Sequence, residues 1–177
     1  KKRLALEQMS SNDSVQIEEK KHLYANAESA TGKIKSLADC LLAFELEGLD
    51  GGAYDGRRAI VAQQAEAAMR KSLPEFWSYA RNKLSGRRTF HWPVEFPEVF
   101  ARGGFDVFVG NPPFLGGKRI SSLYGDAYRD YLFRHIALGQ TGSSDICAHF
   151  YLQAFRLLAS ESAMGLLATN TIAQGDT

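Results

Sequence analysis

Residues 105–114 read Phe-Asp-Val-Phe-Val-Gly-Asn-Pro-Pro-Phe, an apolar run rich in β-branched and aromatic residues that stops on Asn111, Pro112, Pro113 and Phe114. Such a run forms a buried strand, and a glycine with two prolines close behind it ends the strand without passing into a helix. The tetrapeptide is thereby confined to a strand's carboxyl end. Ligands of open α/β sheets bind in the crevice outside those ends, so Asn111 is set for chemistry rather than packing. Its side-chain carbonyl accepts hydrogen bonds, and Pro112, which lacks an N–H, leaves its own carbonyl free as a second acceptor. Two acceptors can converge on one planar NH2. The prolines fix φ and so preorganise the acceptors, while Phe114 adds a flat apolar face. An amine held in this way has its lone pair drawn out of conjugation, and its nitrogen can attack an electrophilic methyl group.

Asn111-Pro112-Pro113-Phe114, after a Phe-Asp-Val-Phe-Val-Gly strand, resembles motif IV of the N6-adenine DNA methyltransferases. Phe90-His91-Trp92-Pro93-Val94-Glu95-Phe96-Pro97-Glu98-Val99-Phe100 is similar to the lead-in segment of the large methyltransferases of type II restriction-modification enzymes and of DISARM- or BREX-like phage-defence systems. Ser144-Asp145-Ile146-Cys147-Ala148-His149-Phe150 resembles motif V, and Gly165-Leu166-Leu167-Ala168-Thr169-Asn170-Thr171 resembles motif VI.

The resemblance implies methyl transfer from S-adenosylmethionine to N6 of an adenine in double-stranded DNA. The adenine is flipped out because its amine is inaccessible inside the stack. It also implies residue roles. Asn111 and the Pro112 carbonyl grip the amine, and Phe114 stacks on the base. Pro113 lies against the cofactor, and Phe150 packs on the cofactor's adenine, with a plain core position in the crossover helix as the alternative for Phe150. Asp145 is a favoured type of residue for the N-cap of that helix. Asp106 alternates with Phe105 and Val107 in the strand and is set aside as a base. Closely similar tetrapeptides serve RNA guanine-N2 and protein-glutamine methyltransferases, so an RNA or protein-glutamine N-methyltransferase is the rival enzyme. A noncatalytic helical scaffold is the rival from another class.

Charge alone does not decide among these. The net charge is +1, whereas phosphate contacts usually leave a basic imbalance. The basic residues are nevertheless grouped: Arg70, Lys71, Arg81, Lys83, Arg87 and Arg88 precede the strand, and Lys118, Arg119, Arg129 and Arg134 follow the turn. Either group is a solvated helix face or a phosphate contact, and Lys118 and Arg119, nearest the turn, are the DNA-binding candidates. A phosphate-loop reading of Gly116-Gly117-Lys118 fails because position 112 is proline and Arg119 stands where Ser or Thr is needed. The 177 residues are 45% apolar and 23% charged, as expected of a soluble globular protein. No apolar run approaches the roughly 20 residues of a membrane span and no signal peptide is evident, so a bacterial cytoplasmic location without membrane partners is expected. Cys40 and Cys147 lack partners at metal-ligand spacing; neither a metal site nor a disulfide is expected, and both read as buried thiols.

Two domains are expected: a helical insertion or bundle over residues 1–88 and a partial methyltransferase catalytic domain over residues 89–177. Leu23, Ala27, Ala30, Ile34, Leu37, Leu41 and Phe44 recur at helical spacing. Gly48, Gly51, Gly52 and Gly56 mark a loop before a second helix over 57–71, giving an antiparallel pair. Ser72-Leu73-Pro74-Glu75 reads as a capping box opening a third helix whose Phe76, Trp77 and Tyr79 face a core. An aromatic and proline-rich coil follows from Thr89. Gly116 and Gly117 let a loop flex over the site. Residues 121–138 form an irregular helix or helix pair, 145–160 a helix with Ile146, Phe150, Ala154, Leu157 and Leu158 on one face, and 164–168 a short buried strand.

The fold class is therefore α/β: a parallel βαβ unit of a partial Rossmann-like class I methyltransferase sheet, preceded by the helical insertion. The family's glycine-rich cofactor turn has no counterpart in these residues. The chain reads as a central fragment that works with the remainder of a parent methyltransferase and with defence-system subunits. Alone it is expected to be inactive.

Overall fold

The computed structural model describes residue 9 and residues 13–49, 51–70, 74–140 and 142–173. They form helices α1 (Ser14–Leu46), α2 (Gly51–Arg70), α3 (Pro74–Lys83), α4 (Trp92–Glu95) and α5 (Pro97–Phe100), then strand β1 (Phe105–Gly110). Helices α6 (Gly117–Tyr124) and α7 (Asp126–Tyr131), a π-helical turn (Leu132–Ile136), helix α8 (Ile146–Leu157), strand β2 (Leu158–Leu166) and a 3-10 turn (Asn170–Ala173) follow. The chain divides into two compact units, residues 1–43 with 55–98 and residues 44–54 with 99–177.

In the first unit α1 buries Ala27 of the expected stripe together with Cys40 and Ala43, which lie outside it, while Ile34 of the stripe stays 41% exposed. Burial pushes the Cys40 thiol up to about 11. The aromatic segment after α3 is fastened to the middle of α1 by polar pairs: His91 Nε2 lies 2.7 Å from Asp39 Oδ1, and Lys35 Nζ lies 3.0 Å from Glu28 and 2.8 Å from Glu95. The Phe90, Trp92 and Phe96 rings cluster beside these pairs, with centroids 4.9 to 6.1 Å apart. This segment is not the coil expected from Thr89. Its prolines sit in the first turns of α4 and α5, where the missing N–H leaves no hydrogen bond unmade. The expected capping-box Ser72 and the side chain of Phe76 lie outside the described residues; Trp77 and Tyr79 are partly buried.

In the second unit α2 begins at Gly51 rather than after a glycine-rich loop. Gly48 turns the chain at φ +80 and Gly51 opens α2 at φ +47, while the Leu49 N–H donates to the Phe44 carbonyl. The sheet is a mixed-fold minimum of two parallel strands, β1 beside β2, with Val107 opposite Ala163 and Gly110 opposite Leu166. Its register shifts between Phe105 and Val107, where β2 bulges through Glu161 at φ +60. Gly104, at φ +129, lies so close to this crossing that an added Cβ would stand 2.6 Å from the Leu157 carbonyl oxygen. That contact coincides with the end of α8 at Leu157, so the helix expected to reach Ser160 stops early and β2 starts ahead of the expected 164–168.

The expectation of buried strands is also corrected. Val107 is 56% exposed and Val109 81%, because among the described residues β1 pairs only with β2 and these side chains have no layer over them. The core of this unit lies instead among Ile120, Leu132, Ile136 and Ile146, with Leu115, Tyr128 and Tyr131 packed against it. The region expected as an irregular helix over 121–138 is α6, α7 and the π-helical turn, broken at Gly125 with φ +85.

His149 on α8 is 2% exposed, edge-on to the Phe133 ring at 5.4 Å, and neither ring nitrogen has a hydrogen-bond partner. Burial lowers its pKa from the ordinary 6.5, with Asp145 acting weakly the other way. The folded chain thus holds the imidazole neutral, and the unfolded chain takes up the proton first as pH falls. Stability is present in full above the unfolded value near 6.5 and is lost as pH drops below it. The urea midpoint should fall between pH 7 and pH 5, and His149→Leu should flatten that fall; an unchanged slope in the variant would show that His149 does not titrate on unfolding.

Candidate active site

The segment 111–116 leaves the carboxyl end of β1 in neither helix nor strand, and it is fixed at both ends. Behind it, the Leu167 N–H donates to the Gly110 carbonyl at 3.0 Å. Ahead of it, the Leu115 N–H donates to Asp145 Oδ1 at 3.1 Å, and the Leu115 carbonyl accepts from the Ile146 N–H at 2.9 Å. The same Asp145 oxygen accepts the Cys147 N–H at 2.9 Å, which makes Asp145 the N-cap of α8, as the sequence predicts. One buried carboxylate therefore starts a helix and holds the turn beside it. The Leu115 side chain completes the anchor by packing on the Ile120 and Ile146 core.

Gly117 tightens this arrangement. A Cβ there would stand 2.5 to 2.6 Å from the backbone of Ser143 and Ser144, so α6 begins in direct contact with the approach to α8. This corrects the flexing loop expected at Gly116 and Gly117 at its second glycine: Gly117 is buried, and its missing side chain permits close approach. On the far side, the Tyr151 hydroxyl donates to the Leu166 carbonyl, and the Cys147 thiol contacts Asp145 and Thr169. Burial, then the Asp145 hydrogen bond, push that thiol above its ordinary value. The ends of β1 and β2 and the start of α8 thus converge on one spot.

The candidate residues divide by exposure. Asn111 and Pro113 are exposed, Pro112 is buried, and Phe114 is 48% exposed. Among the described residues no donor meets the Asn111 side chain or the Pro112 carbonyl, so both acceptors are unclaimed within the fold. Lys118 and Arg119 are exposed in the first turn of α6 and form no ion pair with the described residues. Arg129 and Arg134 are engaged elsewhere: Arg129 lies 4.9 Å over the Phe133 ring, and Arg134 donates to the Gly48 carbonyl at 2.9 Å. Phe150 shares the stripe of α8 that buries Ile146, Ala154 and Leu157, yet it is 46% exposed. Among the described residues Phe150 is thus half covered rather than a buried core position. Leu115 and Tyr151 were not legible as site-forming residues, since their roles rest on partners 30 and 15 positions away, the Asp145 carboxylate and the Leu166 carbonyl.

Asp145→Ala removes the N-cap and strands the Leu115 N–H, a combined cost of about 2 to 4 kcal/mol. Asp145→Asn keeps an oxygen acceptor and should cost under about 1 kcal/mol. Equal losses for the two variants in chemical denaturation would contradict the shared-acceptor role.

Three comparisons bear on this geometry. The family model described as Eco57I restriction-modification methylase matches residues 11–177. A putative type II restriction enzyme and methyltransferase of Methanocaldococcus jannaschii is 26% identical over 88 residues, a stretch that is 50% of this chain and 7% of that protein. The chain thus spans a small fraction of this relative's length. No solved structure matches. A family match that runs through both units and includes the whole Asn-Pro-Pro-Phe site has one reading: the chain belongs to the Eco57I restriction-modification methylase family.

Proposed function

We propose that this chain carries the amine-gripping part of an adenine-specific DNA methyltransferase that uses S-adenosylmethionine in restriction-modification or phage defence. Membership of a restriction-modification methylase family supports methyl transfer to DNA. A planar amine as the target is supported by one observation, a turn held by Asp145 and Leu115 that leaves the Asn111 and Pro112 acceptors unclaimed beside the half-exposed Phe114 ring, and the resemblance of residues 90–100 to the large DNA methyltransferases favours adenine among such amines.

In this reading Asn111 Oδ1 and the Pro112 carbonyl each accept one N–H of the adenine amine. They draw the nitrogen toward tetrahedral geometry, which frees its lone pair for attack. Phe114 stacks on the flipped base, replacing the stacking lost on leaving the duplex. S-adenosylmethionine, when bound, supplies an electrophilic methyl group on a sulfonium. Pro113 and Phe150 offer exposed apolar surface suited to the cofactor's uncharged parts. The nitrogen would bond to the methyl carbon as that carbon's bond to sulfur breaks and the neutral thioether leaves, and it would give up one proton, which the exposure of Asn111 lets water take. Lys118 and Arg119 would contact backbone phosphates. Val107 and Val109 would be covered by the remaining strands of a Rossmann-like methyltransferase sheet, supplied by other parts of the methyltransferase.

Preorganisation is the mechanism's main device. A polar group fixed before the reaction pays no reorganisation at the transition state, and removing one typically costs about a hundredfold to a thousandfold in rate. Single-molecule sequencing of DNA from cells expressing the full-length gene should reveal N6-methyladenine at a defined site, and Asn111→Ala should abolish it. Methylation at the wild-type level in the variant, or methyl label entering RNA or protein instead of DNA, would contradict the reading.

A further inference from the structure

The first unit contains a cavity of about 400 Å3 that methyl transfer does not use. It lies between the end of α3 with its following turn and the middle of α1, and Asp39, Trp77, Arg81, Ser85 and Arg87 line it. Its size is within the roughly 300 to 1,000 Å3 of pockets that hold small ligands.

The charges on its wall do not cancel. Asp39 already has a partner, His91 Nε2 at 2.7 Å. Arg81 and Arg87 are exposed, and no carboxylate among the described residues pairs with either; Arg87 reaches only the Lys83 carbonyl, at 3.3 Å. Two guanidinium groups with unclaimed donors, next to a partly buried indole, suit a phosphate joined to a planar or sugar ring. Two of the turn's backbone donors are committed, the Leu84 N–H to the Ala80 carbonyl and the Arg87 N–H to the Leu84 carbonyl. The charge for recognition comes from the arginine side chains. Arg88, exposed, follows Arg87 in sequence and continues the basic strip. A single nucleotide would leave that strip unused, whereas a continuous phosphodiester backbone would not.

We propose that this cavity is a DNA-backbone contact, in which Arg81 and Arg87 hold a phosphodiester and Trp77 lies against the adjoining deoxyribose. The proposal rests on DNA being the substrate. It assigns the helical unit a part in holding the duplex, separate from the residues at the end of β1.

The test measures binding of the whole chain to a duplex of arbitrary sequence across a salt series. Replacing both arginines, R81A with R87A, should weaken binding at low salt about tenfold or more and reduce the slope of log K against log salt by about one. Circular dichroism should be unchanged, because both side chains are exposed. In a Trp92→Phe background, Trp77 fluorescence should change on addition of the duplex, and millimolar dAMP should not reverse the change. An unchanged affinity and slope in the double variant, Trp77 emission indifferent to the duplex, or displacement of the duplex by dAMP would each overturn the proposal. Absence of any duplex binding by the wild-type chain would overturn this proposal, whereas the DNA substrate is read from methylation by the full-length protein. Methylation in the Asn111 variant is read separately, so either reading can fail while the other stands.

Discussion

The carboxylate of Asp145 accepts two backbone N–H groups, Cys147 at the start of α8 and Leu115 at the end of the Asn-Pro-Pro-Phe turn. The rest of the second unit is arranged around that sharing. The crossover helix α8 starts where it does because Asp145 caps it, and the turn after β1 is held because the cap is bidirectional. Leu115 then enters the core beside Ile120 and Ile146, and Gly117 allows the backbone of α6 to touch Ser143 and Ser144. A segment with no internal secondary structure is thereby held at both ends.

That constraint separates anchoring from presentation. Leu115, Gly117 and Asp145 are inside or against the core, whereas Asn111, Pro113 and Phe114 remain accessible, with Pro112 as the buried hinge between them. Proline suits this place because its fixed φ limits the conformations the exposed residues sample, and the ordering entropy is largely lost before any ligand arrives. The parallel pairing of β1 and β2 brings a second backbone end to the same spot, through the Leu167 to Gly110 hydrogen bond and the Tyr151 contact with Leu166. Parallel strands in α/β proteins are ordinarily covered on both faces. Here Val107 and Val109 are exposed, so the functional reading of this site as part of a larger sheet agrees with an apolar surface that the described residues leave uncovered.

Features governed by neighbours in sequence were legible; those governed by distant backbone were not. The stop at Gly110 and the prolines, the N-cap at Asp145 and the buried thiols all follow from local composition, and the structure bears them out. The end of α8 could not be read, because apolar periodicity continues past Leu157 and the helix ends where Gly104 approaches from another part of the chain. Gly117 failed for the same reason: a glycine that permits flexing and one that permits close packing look alike in sequence. Burial of β1 was overestimated because an apolar run reports what a side chain prefers, not whether anything lies over it. For the site itself, position at a strand end was legible in Asn111 to Phe114, while the clamp through Leu115 required a partner 30 residues on.

The central claim is that a rigid turn presents two acceptors to one planar amine. The most direct measurement is a crystal structure of the full-length enzyme with its duplex and a nonreactive cofactor analogue. The account predicts a flipped adenine whose N6 lies within about 3.2 Å of both Asn111 Oδ1 and the Pro112 carbonyl oxygen, with Phe114 against the ring. An adenine left stacked in the duplex, or an amine held by other residues, would contradict it.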